Sequence, residues 1–255
     1  MAHWMRFDKD GRAGFGRVEG DRIVVHEGDL FGAPRATGES LPLDAVRVLT
    51  PTVPSKMIAL WNNYQALAAK LGQAIPAEPL WLLKAPNSYL AHGAVIRKPP
   101  SYDGKVVYEG ELGVVIGKRL SGASEDEAHA GIFGYTCIND VTAAEIITRD
   151  ASFAQWCRAK SFDTFGVFGP VVATGLDPSA LTVKLVLNGA ERQSYPVSDM
   201  IFSPVRLASL LSHELTLEPG DVICCGTSVG VGSMKPGSDV AVTIEGIGTL
   251  SNRYE

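Results

Sequence analysis

Glu109 and Glu111 stand two residues apart in Val106-Val107-Tyr108-Glu109-Gly110-Glu111-Leu112-Gly113-Val114-Val115-Ile116-Gly117, a run whose composition predicts one strand over Val106 to Gly117. Side chains two apart in a strand share a face, with Cα atoms about 6.5–7 Å apart, so both carboxylates can reach one small ion. The apolar residues that follow predict entry into a buried sheet, where two like charges raise each other's pKa unless a cation neutralises them. Oxygen-only ligation favours Mg²⁺ or Mn²⁺ over zinc. The spacing leaves a second reading open, a half-exposed strand with an acidic face toward water. Asp140 is a third carboxylate, placed where a β-rich run turns helix-like, with Thr142 and Glu145 spaced as a capping box; a helix cap or Asx-turn is its other reading.

These residues need a scaffold, and the sequence reads as mostly β with a few helices. Short β-like pieces at Arg17 to Glu19 and Arg22 to His26 flank Gly20-Asp21, and Gly/Pro-rich sequence runs on to Pro42. The Thr50-Pro51-Thr52-Val53-Pro54 segment disfavours regular structure, which predicts a small N-terminal subdomain over 1–50 and a larger domain over 51–255. Tyr64, Leu67, Ala68 and Leu71 recur at helical spacing before Gly72. Leu181 to Leu187 and Glu191 to Val197 form a predicted hairpin through Asn188-Gly189. Ser203-Pro204 opens a helix with Leu207, Leu210, Leu211 and Leu215 inward, and strands are expected at Asp221 to Cys225 and Asp239 to Glu245. Regular strand-helix alternation is lacking, which disfavours a doubly wound fold.

Bulk properties narrow the function classes. A net charge of -5 without a basic block argues against a nucleic-acid partner. No apolar run approaches the roughly 20 residues of a membrane helix, so no membrane partner is expected. Cys137, Cys157, Cys224 and Cys225 lack zinc-ligand spacing, and reduced thiols in a cytoplasmic protein are the expectation. Gly226-Thr227-Ser228-Val229-Gly230-Val231-Gly232 is followed too soon by Pro236-Gly237 to be a phosphate loop opening a helix.

Taken in order, Tyr108-Glu109-Gly110-Glu111-Leu112, Gly134-Tyr135 with Asn139-Asp140, Lys160-Ser161-Phe162-Asp163-Thr164-Phe165, Gly226-Thr227 with Gly230-Val231-Gly232, and Ile244-Glu245-Gly246-Ile247-Gly248 resemble the fumarylacetoacetate hydrolase superfamily. The likeness is to its 2-hydroxyhepta-2,4-diene-1,7-dioate isomerase and acylpyruvase branch. It implies a mixed β-sandwich roll, a homodimer, and Mg²⁺ or Mn²⁺ held by Glu109, Glu111 and Asp140. It further implies Lys160 as the catalytic electrostatic stabiliser and Thr227, Lys84 and Tyr64 as substrate-binding residues. A solvated surface lysine is the other reading of Lys160, a plain turn hydroxyl that of Thr227. Asp163 reads better as fixing a local turn.

The chain departs from the family pattern at two places. Many hydrolytic relatives carry Asn-Tyr-x-x-His-x-x-Glu, whose His-Glu pair activates water; here Leu67 and Lys70 occupy those positions in Asn63-Tyr64-Gln65-Ala66-Leu67-Ala68-Ala69-Lys70. Leucine cannot take a proton. Ala144 stands where many members have an arginine, which puts recognition of a distal carboxylate in doubt. The expectation is therefore an enzyme acting on a small 2-oxo or 1,3-dicarbonyl acid through a metal-bound enolate, by decarboxylation or keto-enol isomerisation of an aromatic-catabolism intermediate. Carbon-carbon hydrolysis of acylpyruvate or fumarylacetoacetate type is the first alternative, with His92 or Lys70 as a substitute base; a non-catalytic metal binder is the second.

Overall fold

The computed structural model describes all 255 residues, Met1–Glu255. Four antiparallel strands, β1 (Ala2–Lys9), β2 (Arg12–Glu19), β3 (Arg22–Glu27) and β4 (Arg35–Pro42), open the chain, followed by β5 (Arg47–Val48) and β6 (Met57–Trp61). Helix α1 (Gln65–Leu71) leads to β7 (Leu80–Lys84), β8 (Tyr89–Leu90), β9 (Val95–Ile96), β10 (Val106–Tyr108) and β11 (Gly110–Ile116). After α2 (Glu125–Gly131) come β12 (Ile132–Asp140), β13 (Thr142–Ala143), α3 (Trp156–Lys160) and β14 (Gly166–Thr174). The hairpin β15 (Thr182–Leu187) and β16 (Ala190–Pro196) precedes α4 (Pro204–Glu214), β17 (Val222–Cys224), β18 (Gly232–Ser233), β19 (Ser238–Ile244) and β20 (Gly248–Tyr254).

The strands form three sheets. The largest runs β4-β3-β2-β1-β14-β12-β11-β17-β6-β7, with β5 beside β1 and β8 beside β14; a second runs β16-β15-β19-β20-β9 and a third β13-β10-β18. The second sheet packs against β11, β12 and β14 of the first, giving the expected mixed sandwich. Strand β11 is buried along its whole length, as a strand covered on both faces must be. Through β1, which pairs with β14, the N-terminal strands extend the same sheet that carries the central strands.

Local signals resolve well. Asn188 and Gly189 both have positive φ, 50° and 78°, as a type I′ hairpin turn requires. Gly72 ends α1 at φ 64° and accepts the left-handed conformation that a side chain would resist. Ser203 caps α4, its hydroxyl accepting from Arg206 N at 3.3 Å, and Leu207 and Leu211 are buried.

Four readings need correction. The run from Val106 to Gly117 is two strands, because the chain leaves the three-stranded sheet and enters the large one at Glu109. Leu71 is exposed, since α1 ends there, and Leu215 lies past the end of α4. The Gly/Pro-rich stretch before Pro42 contains β4. Thr142 and Glu145 form no capping box: Thr142 sits in a strand and bonds Glu109, while Glu145 accepts from the Tyr102 hydroxyl and from Lys105 N at 2.9 Å.

Candidate metal centre

Glu109 occupies the break between β10 and β11, Glu111 follows inside β11, and Asp140 ends β12. The register of β11 on β12 pairs Gly110 with Asn139, which sets Asp140 beside Glu109. One side-chain and one backbone bond hold that approach: Glu109 N donates to Asn139 Oδ1 at 3.1 Å, and Asp140 N to Glu109 O at 2.8 Å. One oxygen from each of the three carboxylates lies within 4.8 Å of the other two. Glu111 and Asp140 are fully buried and Glu109 is partly so.

Two lysines converge on the cluster. Lys160, the last residue of α3, donates from Nζ to Glu109 Oε2 at 3.0 Å and to Asp140 Oδ2 at 2.5 Å. Lys84, at the end of β7, donates to Asp140 Oδ1 and, at 3.4 Å, to Val141 O. Both are buried, so the surface reading of Lys160 is set aside. Thr142 Oγ1 donates to Glu109 Oε1 at 2.6 Å.

Burial alone would raise the Asp140 pKa, but Lys160 and Lys84 overcome it and hold the carboxyl below its usual range. Lys160 shows the converse: desolvation lowers its pKa, yet Asp140, Glu109 and Glu111 push it well above the usual lysine value. Glu111 has no lysine bonded to it. Burial first, and then Asp140, raises its pKa well above the usual carboxylate range. Its Oε2 accepts from Gly226 N at 2.9 Å, while its buried Oε1 has no partner.

That orphaned oxygen is the strongest local sign that the cluster is built for a cation. A buried acceptor without a donor costs about 1–3 kcal/mol, more when charged, and a hard divalent ion would satisfy it together with its two neighbours. Three carboxylates against two ammonium groups leave one formal negative charge, which a divalent ion turns to one positive, suited to an anionic ligand. The three carboxylates fit a hard divalent cation.

Thr227 and Tyr64 border this cluster in different ways. Thr227 Oγ1 donates to Gly110 O at 3.0 Å and accepts from Gln193 Nε2 at 2.8 Å, so its proton is taken up within the protein. Tyr64 is wholly buried, its ring meeting Tyr195 edge-on at 4.9 Å, and its hydroxyl has no partner. Burial first, with Glu111 among the nearby acids, keeps that phenol protonated. Ser228 Oγ and Asn139 Nδ2 are likewise buried and unpartnered.

The remaining residues singled out in the sequence fall elsewhere. Leu67 is buried on α1 and Lys70 is exposed on the same helix. His92 Nδ1 accepts from Ser251 N at 3.0 Å, on β20. Asp163 accepts from Asn87 Nδ2 at 2.6 Å, a bond to a segment far along the chain and not within its own turn. Gln193 and Tyr195, which motif reading passed over, both reach Gly110; they are the two buried residues of the otherwise exposed β16, and no short motif marks them.

A model of the fumarylacetoacetate hydrolase C-terminal family matches residues 56–255, and one described as Rv2993c-like, N-terminal matches 2–51. An uncharacterised protein of Archaeoglobus fulgidus is 43% identical over 215 residues, covering 84% of each chain. The Bacillus subtilis protein named oxaloacetate tautomerase YisK is 36% identical, over 92% of this chain and 84% of its own. The crystal structure of a 2-hydroxyhepta-2,4-diene-1,7-dioate isomerase from Mycobacterium marinum superposes with a TM-score of 0.91 at 35% identity, covering 100% of this chain and 98% of that one. The chain belongs to the fumarylacetoacetate hydrolase family.

Proposed function

We propose that this protein is a divalent-cation-dependent enzyme, with Mg²⁺ or Mn²⁺ held by Glu109, Glu111 and Asp140, that catalyses keto-enol isomerisation or decarboxylation of a small 2-oxo diacid. The observation that carries the proposal is the buried three-carboxylate cluster flanked by Lys84 and Lys160, in a chain where Leu67 takes the place of a water-activating histidine. The names of the Bacillus relative and the Mycobacterium structure, an oxaloacetate tautomerase and a 2-hydroxyhepta-2,4-diene-1,7-dioate isomerase, support the same reaction class.

Both reactions place negative charge on the 2-oxo oxygen as an enolate forms, and fixed cationic groups in a desolvated site lower that barrier most. When bound, the cation supplies Lewis-acid polarisation of the oxo-acid. Lys160 bonds both Glu109 and Asp140, which holds its ammonium group at the cluster, where it can stabilise the developing enolate oxygen. Lys84 offsets the charge of Asp140 and holds that carboxylate in place. Tyr64 presents a protonated hydroxyl with no protein acceptor, a donor for a substrate oxygen. Leu67 stands where a water-activating histidine would and can take no proton, which disfavours carbon-carbon hydrolysis.

The test is an assay of enol decay and carbon dioxide release from oxaloacetate and from longer 2-oxo diacids, with Mg²⁺, Mn²⁺ or EDTA. Cation-dependent acceleration of either reaction is expected. Acceleration that survives EDTA, or the formation of two acids from an acylpyruvate as the main turnover, overturns the reading.

A further inference from the structure

The three carboxylates meet although the chain is irregular where they meet. Glu109 belongs to no strand, and at it the backbone passes from one sheet to another. The ladder with β12 sets the register of Gly110 and Glu111, but the N and O of Gly110 make their bonds to side chains from elsewhere.

Its polar atoms are bound by side chains from distant elements. Gly110 N donates to Gln193 Oε1 at 2.9 Å, and Gly110 O accepts from Thr227 Oγ1 at 3.0 Å and from the Tyr195 hydroxyl. Gln193 closes the ring: its Nε2 donates to Thr227 Oγ1 at 2.8 Å and to the carbonyls of Ser228 and Val229 at 3.3 Å. Both Gln193 and Tyr195 are almost wholly buried. The hairpin is shaped for this reach. Its register shifts so that Leu185 faces Gln193 but Val186 faces Glu191, leaving Arg192 bulged. A bulge re-aims the residues around it. Gly230, at φ 100°, lets the loop lie against the bulge, since a Cβ there would fall 2.2 Å from Arg192 O. Gly110 is open to the same approach because a Cβ would sit 3.1 Å from Leu185 Cδ1 and 3.3 Å from Gln193 Oε1.

We propose that Gln193 and Tyr195 are positioning residues for the cation centre: with Thr227 they lock the Gly110 peptide so that Glu109 and Glu111 present their oxygens to one ion. This rests on the metal reading given above and goes beyond it, because neither residue touches a carboxylate of the cluster. Partners that orient ligands without bonding the metal typically contribute about 10–100-fold in affinity.

The test is titration of the metal-free full chain with Mn²⁺, followed by calorimetry and by the electron paramagnetic resonance of free Mn²⁺, for wild type, Gln193→Met and Tyr195→Phe, with thermal melts in parallel. Gln193→Met is expected to raise the Mn²⁺ Kd about 10–100-fold. Tyr195→Phe, which leaves Thr227 on Gly110 O, should raise it about threefold, a smaller part of the same effect. A merely structural role would lower Tm and leave the Kd of the folded protein unchanged, and that result overturns the proposal. If Gln193→Met does not fold, Tyr195→Phe decides alone, and an unchanged Kd counts against it. Wild type that takes up no Mn²⁺ removes the metal reading and this proposal together. Tight Mn²⁺ binding in wild type and in both variants removes this proposal only.

Discussion

Replacing Glu111 with glutamine separates the cost of the cluster from its use. Glu111 is fully buried, accepts one bond from Gly226 N, and turns an unpartnered oxygen toward Asp140 and Glu109. In Glu111→Gln the amide oxygen can keep the Gly226 bond while the NH₂ donates toward the two remaining carboxylates. The substitution thus replaces a carboxyl whose ionisation burial and Asp140 already disfavour with a neutral amide that brings its own donors, so metal-free stability should be unchanged or higher. Cation-dependent stabilisation should vanish. Wild type at a cation concentration of about 100 Kd gains roughly 2.7 kcal/mol. A chain of this size shifts by about 2–4 °C per kcal/mol, so Tm should rise by about 5–10 °C. Thermal melts of both proteins with EDTA and with saturating Mg²⁺ or Mn²⁺ give the comparison, and Mg²⁺-dependent turnover should be lost in the variant. A Glu111→Gln protein that gains the wild-type Tm increment, or keeps full activity, refutes the assignment of Glu111 as a ligand.

Lys160→Met leaves Asp140 and Glu109 with one cation fewer in a buried site, which should cost about 3–5 kcal/mol in urea unfolding of the metal-free protein; a loss under about 1 kcal/mol would show that the pair contributes little. Leu67→His combined with Lys70→Glu should introduce acylpyruvate hydrolysis measurable by acid release; with the variant folded and no hydrolysis detected, the absent pair is not what withholds that reaction. His92 accepts a bond from Ser251 N and burial lowers its pKa, so the folded state disfavours the protonated ring that the unfolded chain takes up near pH 6.5. Its contribution is therefore present above that pH and declines as pH falls toward the folded pKa. Urea midpoints at pH 5 and 7.5 should differ less in His92→Gln than in wild type, and an equal difference in both would exclude His92 as a source.

What the sequence disclosed and what it hid divide along a physical line. The Asn188-Gly189 hairpin, the Gly72 stop and the Ser203-Pro204 helix start were legible because each is decided by the conformational limits of neighbouring residues. The capping box at Thr142 and Glu145 is equally local in pattern, yet it failed because stronger partners, Glu109 for the one and Tyr102 for the other, come from segments far along the chain. Tertiary bonds to a charged group outweigh a helix-terminal bond of about 1 kcal/mol.

The carboxylate pair is the instructive middle case. A two-residue period expects Glu109 and Glu111 to converge because a strand is regular, but the strand breaks at Glu109 and the convergence survives. What preserves it is polar bonding that no short window contains: Asn139 on the Glu109 amide, and Gln193, Tyr195 and Thr227 on the Gly110 peptide. A glutamine in a hairpin strand reads as a solvated residue until the bulge at Arg192 turns it inward. The approach of Glu109 and Glu111 is one of two readings that their spacing allows, and Asp140 joins them only through the family resemblance. The residues that make the ligand set rigid are not legible in the sequence, because their roles depend on a register shift and on which sheet the chain has just left.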